Sequence, residues 1–135
     1  MRISARCKYA LQAILEMSKA PVGTILKVAD IASKPHMPPE YLVQVLILLK
    51  TAGIVDSVRG KMGGYRLSRP PAQITVAEVL EAVEGGMQSA EGVSAPVVDV
   101  LSRADEAARA VLAETTFDDL RTRDLEGKEA VSYII

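Results

Sequence analysis

Two cations stand on a glycine-rich turn near the middle of this chain, in the run Arg59-Gly60-Lys61-Met62-Gly63-Gly64. Glycines lack a Cβ, so the backbone at Gly60, Gly63 and Gly64 can turn tightly and lie close to an anion. Such a turn can cradle a nucleotide phosphate, but the G-x-x-x-x-G-K-[ST] order is missing and no helix follows. It can also carry a guanidinium into a narrow DNA minor groove, where the potential is most negative. Upstream, Tyr41, Gln44 and Lys50 lie in a helical stretch. A glutamine there suits contact to adenine, and a lysine suits a phosphate.

Little else in the chain bears chemistry. A single Cys, Cys7, excludes a disulfide framework and any metal or iron–sulfur site built from several thiolates of one chain. A single His, His36, excludes a multi-His metal site, and no second ligand accompanies it. There is no nucleophile with a base and no pair of carboxylates in an evident cleft, so no enzyme is expected. Cys7 falls among the apolar positions of the first helix, between Arg6 and Lys8. That spacing favours a buried structural thiol, with a redox switch as the alternative.

The elements that must position these groups follow from periodicity. Residues 4–20 read as a helix capped by Ser4, with Cys7, Ala10, Leu11, Ile14 and Met17 on one face. A short helix over 26–33 ends at Pro35. Pro38 and Pro39 then open a third helix over 39–52, with Tyr41, Leu42, Val45, Leu46 and Leu49 as its stripe. A β-branched run over 54–58 and a second short strand over 65–68 flank the glycine turn as a hairpin. Helix, helix, turn, helix and hairpin is the order of a winged helix-turn-helix, and the third helix is the candidate for the major groove.

Thr75 and Glu78 have capping-box spacing at the start of a linker helix, with Ile74 and Val79 as a hydrophobic staple. A long helix is expected over 97–114, carrying Val97, Leu101, Ala104, Ala108 and Leu112 as a dimer interface. Thr116 caps a short last helix. The tail 124–135 shows no clear helical period. The fold class is therefore mainly α with a small β-hairpin wing. Residues 1–70 form the DNA-binding domain, 71–123 the linker, dimerisation and capping helices, and 124–135 a tail.

The net charge of −1 hides a division. Residues 1–69 hold eleven Lys/Arg against four Asp/Glu, and residues 70–135 hold five against thirteen. A basic half joined to an acidic half suggests a polyanion-binding module with something appended. The longest apolar run, residues 45–49, is too short to span a bilayer, and the early charges do not read as a signal peptide, so a cytoplasmic location is expected.

Several runs carry a family resemblance. They are Tyr41-Leu42-Val43-Gln44, then residues 48–60 ending in Ser57-Val58-Arg59-Gly60, then Gly63-Gly64-Tyr65-Arg66-Leu67. With Met1-Arg2-Ile3-Ser4, Lys8-Tyr9-Ala10-Leu11, residues 74–85 and 115–120, they resemble the Rrf-two family of bacterial winged-helix regulators over nearly the whole chain. The resemblance implies a homodimer on a palindromic double-stranded DNA operator, with the long helix crossing its partner. Many members hold an iron–sulfur cluster through three Cys before that helix. Residues 85–96 here contain neither Cys nor His, so no cofactor is expected. Members often have an acidic residue where Val43 stands. A valine cannot accept from cytosine N4, but its methyls can touch a thymine methyl.

Within the family the chain resembles the cluster-free, CymR-like repressors of cysteine metabolism. In these the C-terminal tail implies a partner enzyme, cysteine synthase (O-acetylserine thiol-lyase). The carry-over falls on Tyr133, Ile134 and Ile135. Three alternatives stand beside it: a tail that docks on its own dimer, a module that inhibits the synthase, and a redox-responsive repressor using Cys7.

Overall fold

Helix α1 (Ala5–Ser18) begins where Ser4 Oγ accepts a hydrogen bond from the Cys7 N–H at 3.2 Å. In the computed structural model, which describes residues 3–33, 36–84 and 92–134 with side chains as far as 127, Cys7, Ala10, Ala13, Ile14 and Met17 form its buried face. Helix α2 (Val28–Ser33) is short. Helix α3 (Pro39–Thr51) starts without a side-chain cap, because Pro38 stands at that position. Pro39 in the first turn tolerates its missing N–H, since that group has no intrahelical acceptor.

Strands β1 (Val55–Val58) and β2 (Gly64–Leu67) pair antiparallel, with Val55 opposite Leu67 and Val58 opposite Gly64. The hairpin is not left to itself. Leu26 N–H donates to Tyr65 O and Tyr65 N–H to Leu26 O, both at 2.8 Å, so the segment before α2 adds a third, one-bridge strand. A two-stranded ribbon is marginal alone, and this pairing fixes it to the helical body.

Helix α4 (Val76–Glu84) carries the expected cap, with the Glu78 N–H donating to Thr75 Oγ1 at 3.2 Å, and Ile74 and Val79 are both fully buried. The Glu78 carboxylate does not close the box. It accepts instead from Arg69 at 2.8 Å. Helix α5 (Ala95–Glu114) is 20 residues long and buries none of its residues fully. Helix α6 (Phe117–Ile134) opens with a reciprocal capping box: Asp119 N–H donates to Thr116 Oγ1 at 3.1 Å and Thr116 N–H to Asp119 Oδ2 at 3.0 Å. The bond from the Thr116 backbone N–H, and after it the Thr116 side chain, hold the Asp119 carboxyl below the usual range.

The core is one cluster. Ile14, Ile31, Leu42, Val45, Leu46, Leu49, Ile54, Val79 and Phe117 are sealed from solvent, drawn from α1, α2, α3, the β1 approach, α4 and α6. Full burial of side chains this size contributes roughly 1.5–3 kcal/mol each. None of the described helices is long and apolar enough to cross a membrane.

The tail departs from expectation. Residues 124–134 do not lack regular structure: they continue α6 without a break. The physical reason is propensity. Leu125, Glu126, Lys128, Glu129 and Ala130 are good helix formers, although Gly127 and a sparse apolar pattern hide the period. Lys19 at the end of α1 anchors the run by bridging Glu16 at 2.9 Å and Asp124 at 2.7 Å. Burial opposes charge on this lysine, but the two carboxylates outweigh it and its pKa is raised.

Candidate nucleic-acid interface

Helix α3 has two faces. Leu42, Val45, Leu46 and Leu49 point into the core, while Glu40, Gln44, Ile47, Lys50 and Thr51 are exposed and Val43 half-buried. Gln44 and Lys50 therefore stand where a base edge and a phosphate could reach them. Tyr41 does not stand clear in the same way. It is partly buried against the core, and its ring meets that of Tyr9 edge to face with centroids 5.1 Å apart.

On the wing, Arg59 and Lys61 are exposed, and among the described residues no ion pair involves either of them or Lys50. The glycines divide the work. Gly60 has φ +107, which side chains rarely adopt, and makes the turn. Gly63 and Gly64 serve close packing: a Cβ on Gly63 would meet Val58 O at 2.1 Å, and one on Gly64 would meet Leu26 O at 2.3 Å. The reach of the two cations depends on these positions, which bring the wing backbone against β1 and the Leu26 segment. Lys27 Nζ also donates to Lys61 O at 3.4 Å at the wing base.

Two exposed apolar groups on this surface escaped the sequence reading. Ile47 is 53% exposed, and Met62 at the wing tip is 84% exposed. The helical wheel already placed Ile47 opposite Leu42, Val45 and Leu49. Met62 was masked by its charged and glycine neighbours, yet an unbranched apolar side chain there can wedge between base steps in a minor groove.

The stripe on α5 is broader than the expected one. Val97, Val100, Leu101, Ala104, Ala107 and Val111 are exposed and follow a three-four spacing along one face. Ala108 is half-buried. Leu112 lies on the same side of the helix as Leu101 but near its C-terminal end, where it is partly buried against the chain's own core and lines a cavity of about 380 Å³ between α1, α4 and α5. Val100 and Ala107, which the apolar period alone did not mark, join the outward stripe. The cause is position along the axis: the C-terminal half of α5 packs against α4, and period alone does not say where along a helix its own chain covers it.

In the same cavity, Cys7 Sγ donates to Glu84 Oε1 at 2.8 Å, and Ser4 Oγ donates to the same oxygen. Burial first, then the bond to Glu84, push the Cys7 thiol up to about 11 from its ordinary 9.0, while the two donors hold the Glu84 carboxyl below its usual range. Cys7 is 1% exposed, and burial with the bond to Glu84 disfavours the thiolate that a redox switch at this residue would use. His36 is exposed in the turn before α3, at φ +53. Tyr133 and Ile134 lie on the last turn of α6, and Ile135 lies outside the described residues.

A helical body, a two-cation wing and an amphipathic helix beside them define a winged-helix DNA-binding fold of the transcription-factor class. Residues 3–123 match the Rrf2 (Rrf-two) family, described as iron-dependent transcriptional regulators. The chain belongs to this family; it is a transcriptional regulator and not an enzyme. It is 35% identical to an HTH-type transcriptional regulator of Mycobacterium tuberculosis over 130 residues, 89% of this chain and 81% of that one. It is 30% identical to CymR of Bacillus subtilis over 138 residues, the whole of both chains. The solved structure of that protein, titled the global cysteine regulator of B. subtilis, superposes with a TM-score of 0.77 over 91% of this chain and 98% of the other, at 28% identity.

Iron dependence meets a donor set that does not fit it. The one thiol of the chain is committed to Glu84 inside the α1–α4 contact. Among the described residues no three His, Cys, Asp or Glu side chains could hold a metal together. The segment over 85–91 lies outside the described residues, but its sequence contains no Cys or His. A cluster held by several thiolates of one chain lacks the ligands here, since the sequence has a single Cys.

Proposed function

We propose that this chain is a homodimeric, cluster-free repressor that occupies a palindromic operator and controls cysteine or sulfur metabolism. The observation that carries the reading is the wing, with Arg59 and Lys61 exposed on a turn whose glycines hold it against the body. The exposed stripe on α5 supports the dimer, since an amphipathic helix outside the core needs a partner surface for its apolar face. A two-fold axis through that stripe sets two α3 helices on successive major grooves, about 34–36 Å apart. The full-length likeness to CymR, titled a global cysteine regulator, supports the metabolic assignment.

Arg59→Ala is expected to weaken operator binding by about 1–3 kcal/mol, because a groove-inserted guanidinium loses its contacts entirely. A mobility-shift titration with unchanged affinity takes Arg59 out of the groove. Genome-wide mapping of bound DNA in the native host tests the metabolic assignment: peaks at sulfur-assimilation genes support it, and their absence removes it.

The tail residues Tyr133, Ile134 and Ile135 are assigned to cysteine synthase, on the CymR-like sequence of the tail. Deleting Ile134 and Ile135 is then expected to abolish co-purification with the synthase while operator binding persists. Retained co-purification overturns this assignment.

A further inference from the structure

The inference rests on the reading of α3 as the DNA-facing helix. We propose that Val43 and Ile47 read thymine methyl groups in the major groove, so that this helix recognises its operator chiefly through apolar contacts, with Gln44 as its polar reader.

The outer face of α3 offers few polar donors. Thr51 Oγ1 donates to Ile47 O at 3.0 Å, so its hydroxyl proton is already used. Glu40 in the first turn is an anion and turns phosphates away. Lys50, in the last turn, is a flexible point charge suited to the backbone. What remains for base edges is Val43, Gln44 and Ile47, with Ile47 more than half exposed.

Val43 and Ile47 are one turn apart on the same face, about 6 Å along the axis. That spacing matches one to two base-pair steps. Both side chains are branched at Cβ and stiff at χ1, so their methyls are presented in a defined place. Val43 is half-buried at the edge of this face, while nothing in helix stability calls for the exposed Ile47, a poorer helix former than lysine or glutamate. In the major groove only thymine shows an apolar group, its C5-methyl. The neighbouring adenine shows the N6/N7 pair that a glutamine can hold.

A lone exposed isoleucine is ordinary on a protein surface, but here the surroundings select the occupant. Lys50, Arg59 and Lys61 are exposed on the same module, whose chain segment over 1–69 carries eleven cations against four anions. Such a rim suits a polyanion, and double-stranded DNA is the polyanion that offers methyl groups in a groove of helix width.

The test begins with duplexes selected from a random library by the full-length protein. Each selected duplex is resynthesised with deoxyuridine replacing one thymine at a time, which removes the methyl and keeps the pairing. Loss of one buried methyl is expected to weaken binding about fourfold at two positions in each half-site. Ile47→Ala is expected to erase the penalty at one of these positions and Val43→Ala at the other. Uniform tolerance of deoxyuridine overturns the proposal, as does a penalty that persists in both variants. A library that yields no enriched sequence overturns the DNA-facing reading of α3 itself, a failure distinct from the other two.

Discussion

Ala104→Glu is expected to leave a folded monomer that has lost tight operator binding. Ala104 lies at the midpoint of the exposed α5 stripe, between Val97 and Val100 on one side and Ala107 and Val111 on the other. In a two-fold dimer the same patch meets itself, so a midpoint residue faces its own copy near the axis. A glutamate there places two carboxylates together and strips them of water. An unpaired buried charge costs several kcal/mol, enough to shift the dimer constant by roughly a thousandfold. The monomer itself is untouched, because Ala104 is exposed on its own chain and glutamate is a good helix former. Coupling two half-site contacts raises avidity by about 10²–10⁴, and the monomer forfeits that factor. Sedimentation equilibrium measures the assembly state, circular dichroism the helix content, and a mobility shift the affinity. Glu106→Ala, exposed but off the stripe, is the matched control and is expected to change nothing. A dimer that persists in Ala104→Glu moves the interface away from α5.

The two halves of this surface were legible in the sequence to different degrees, for a physical reason. The wing was readable because its signals are local: glycines and cations within six residues have few other arrangements. Its attachment was not, since the Leu26–Tyr65 pairing joins residues far apart in the chain and leaves no periodic trace. The Cys7–Glu84 hydrogen bond, across 77 residues, was hidden in the same way. Burial of Cys7 followed from its helix face, but the acceptor that keeps it a thiol did not. On α5 the period placed Val97, Leu101 and Leu112 on one side, but it carried no sign that the C-terminal end of that side packs on the chain's own core. In α6 the reverse holds: the helix exists, and its sparse apolar residues gave no period to detect.

Phe117→Ala is expected to destabilise the protein by about 3–5 kcal/mol, the range for removing a buried aromatic ring and leaving a cavity. Phe117 is fully buried. It also sits where the C-terminal half is fastened to the rest. Its N–H donates to Ile74 O at 2.9 Å, and Val76 N–H donates to Thr115 O at 3.0 Å, so a two-way backbone bridge joins the start of α6 to the start of α4. The side chain seals the same junction between α6 and the core cluster. Because α6 reaches α1 through Lys19 and Asp124, and α5 packs on α4, whose start is tied to that of α6, the loss is not confined to one helix. Urea unfolding should show a lower midpoint with an unchanged slope, the mark of lost stability without a change in the surface exposed. Phe117→Leu, which keeps most of the volume, should recover more than half of the loss. If Phe117→Ala unfolds at the wild-type midpoint, the ring does not hold α6 to the core, and the backbone bridge alone carries the junction.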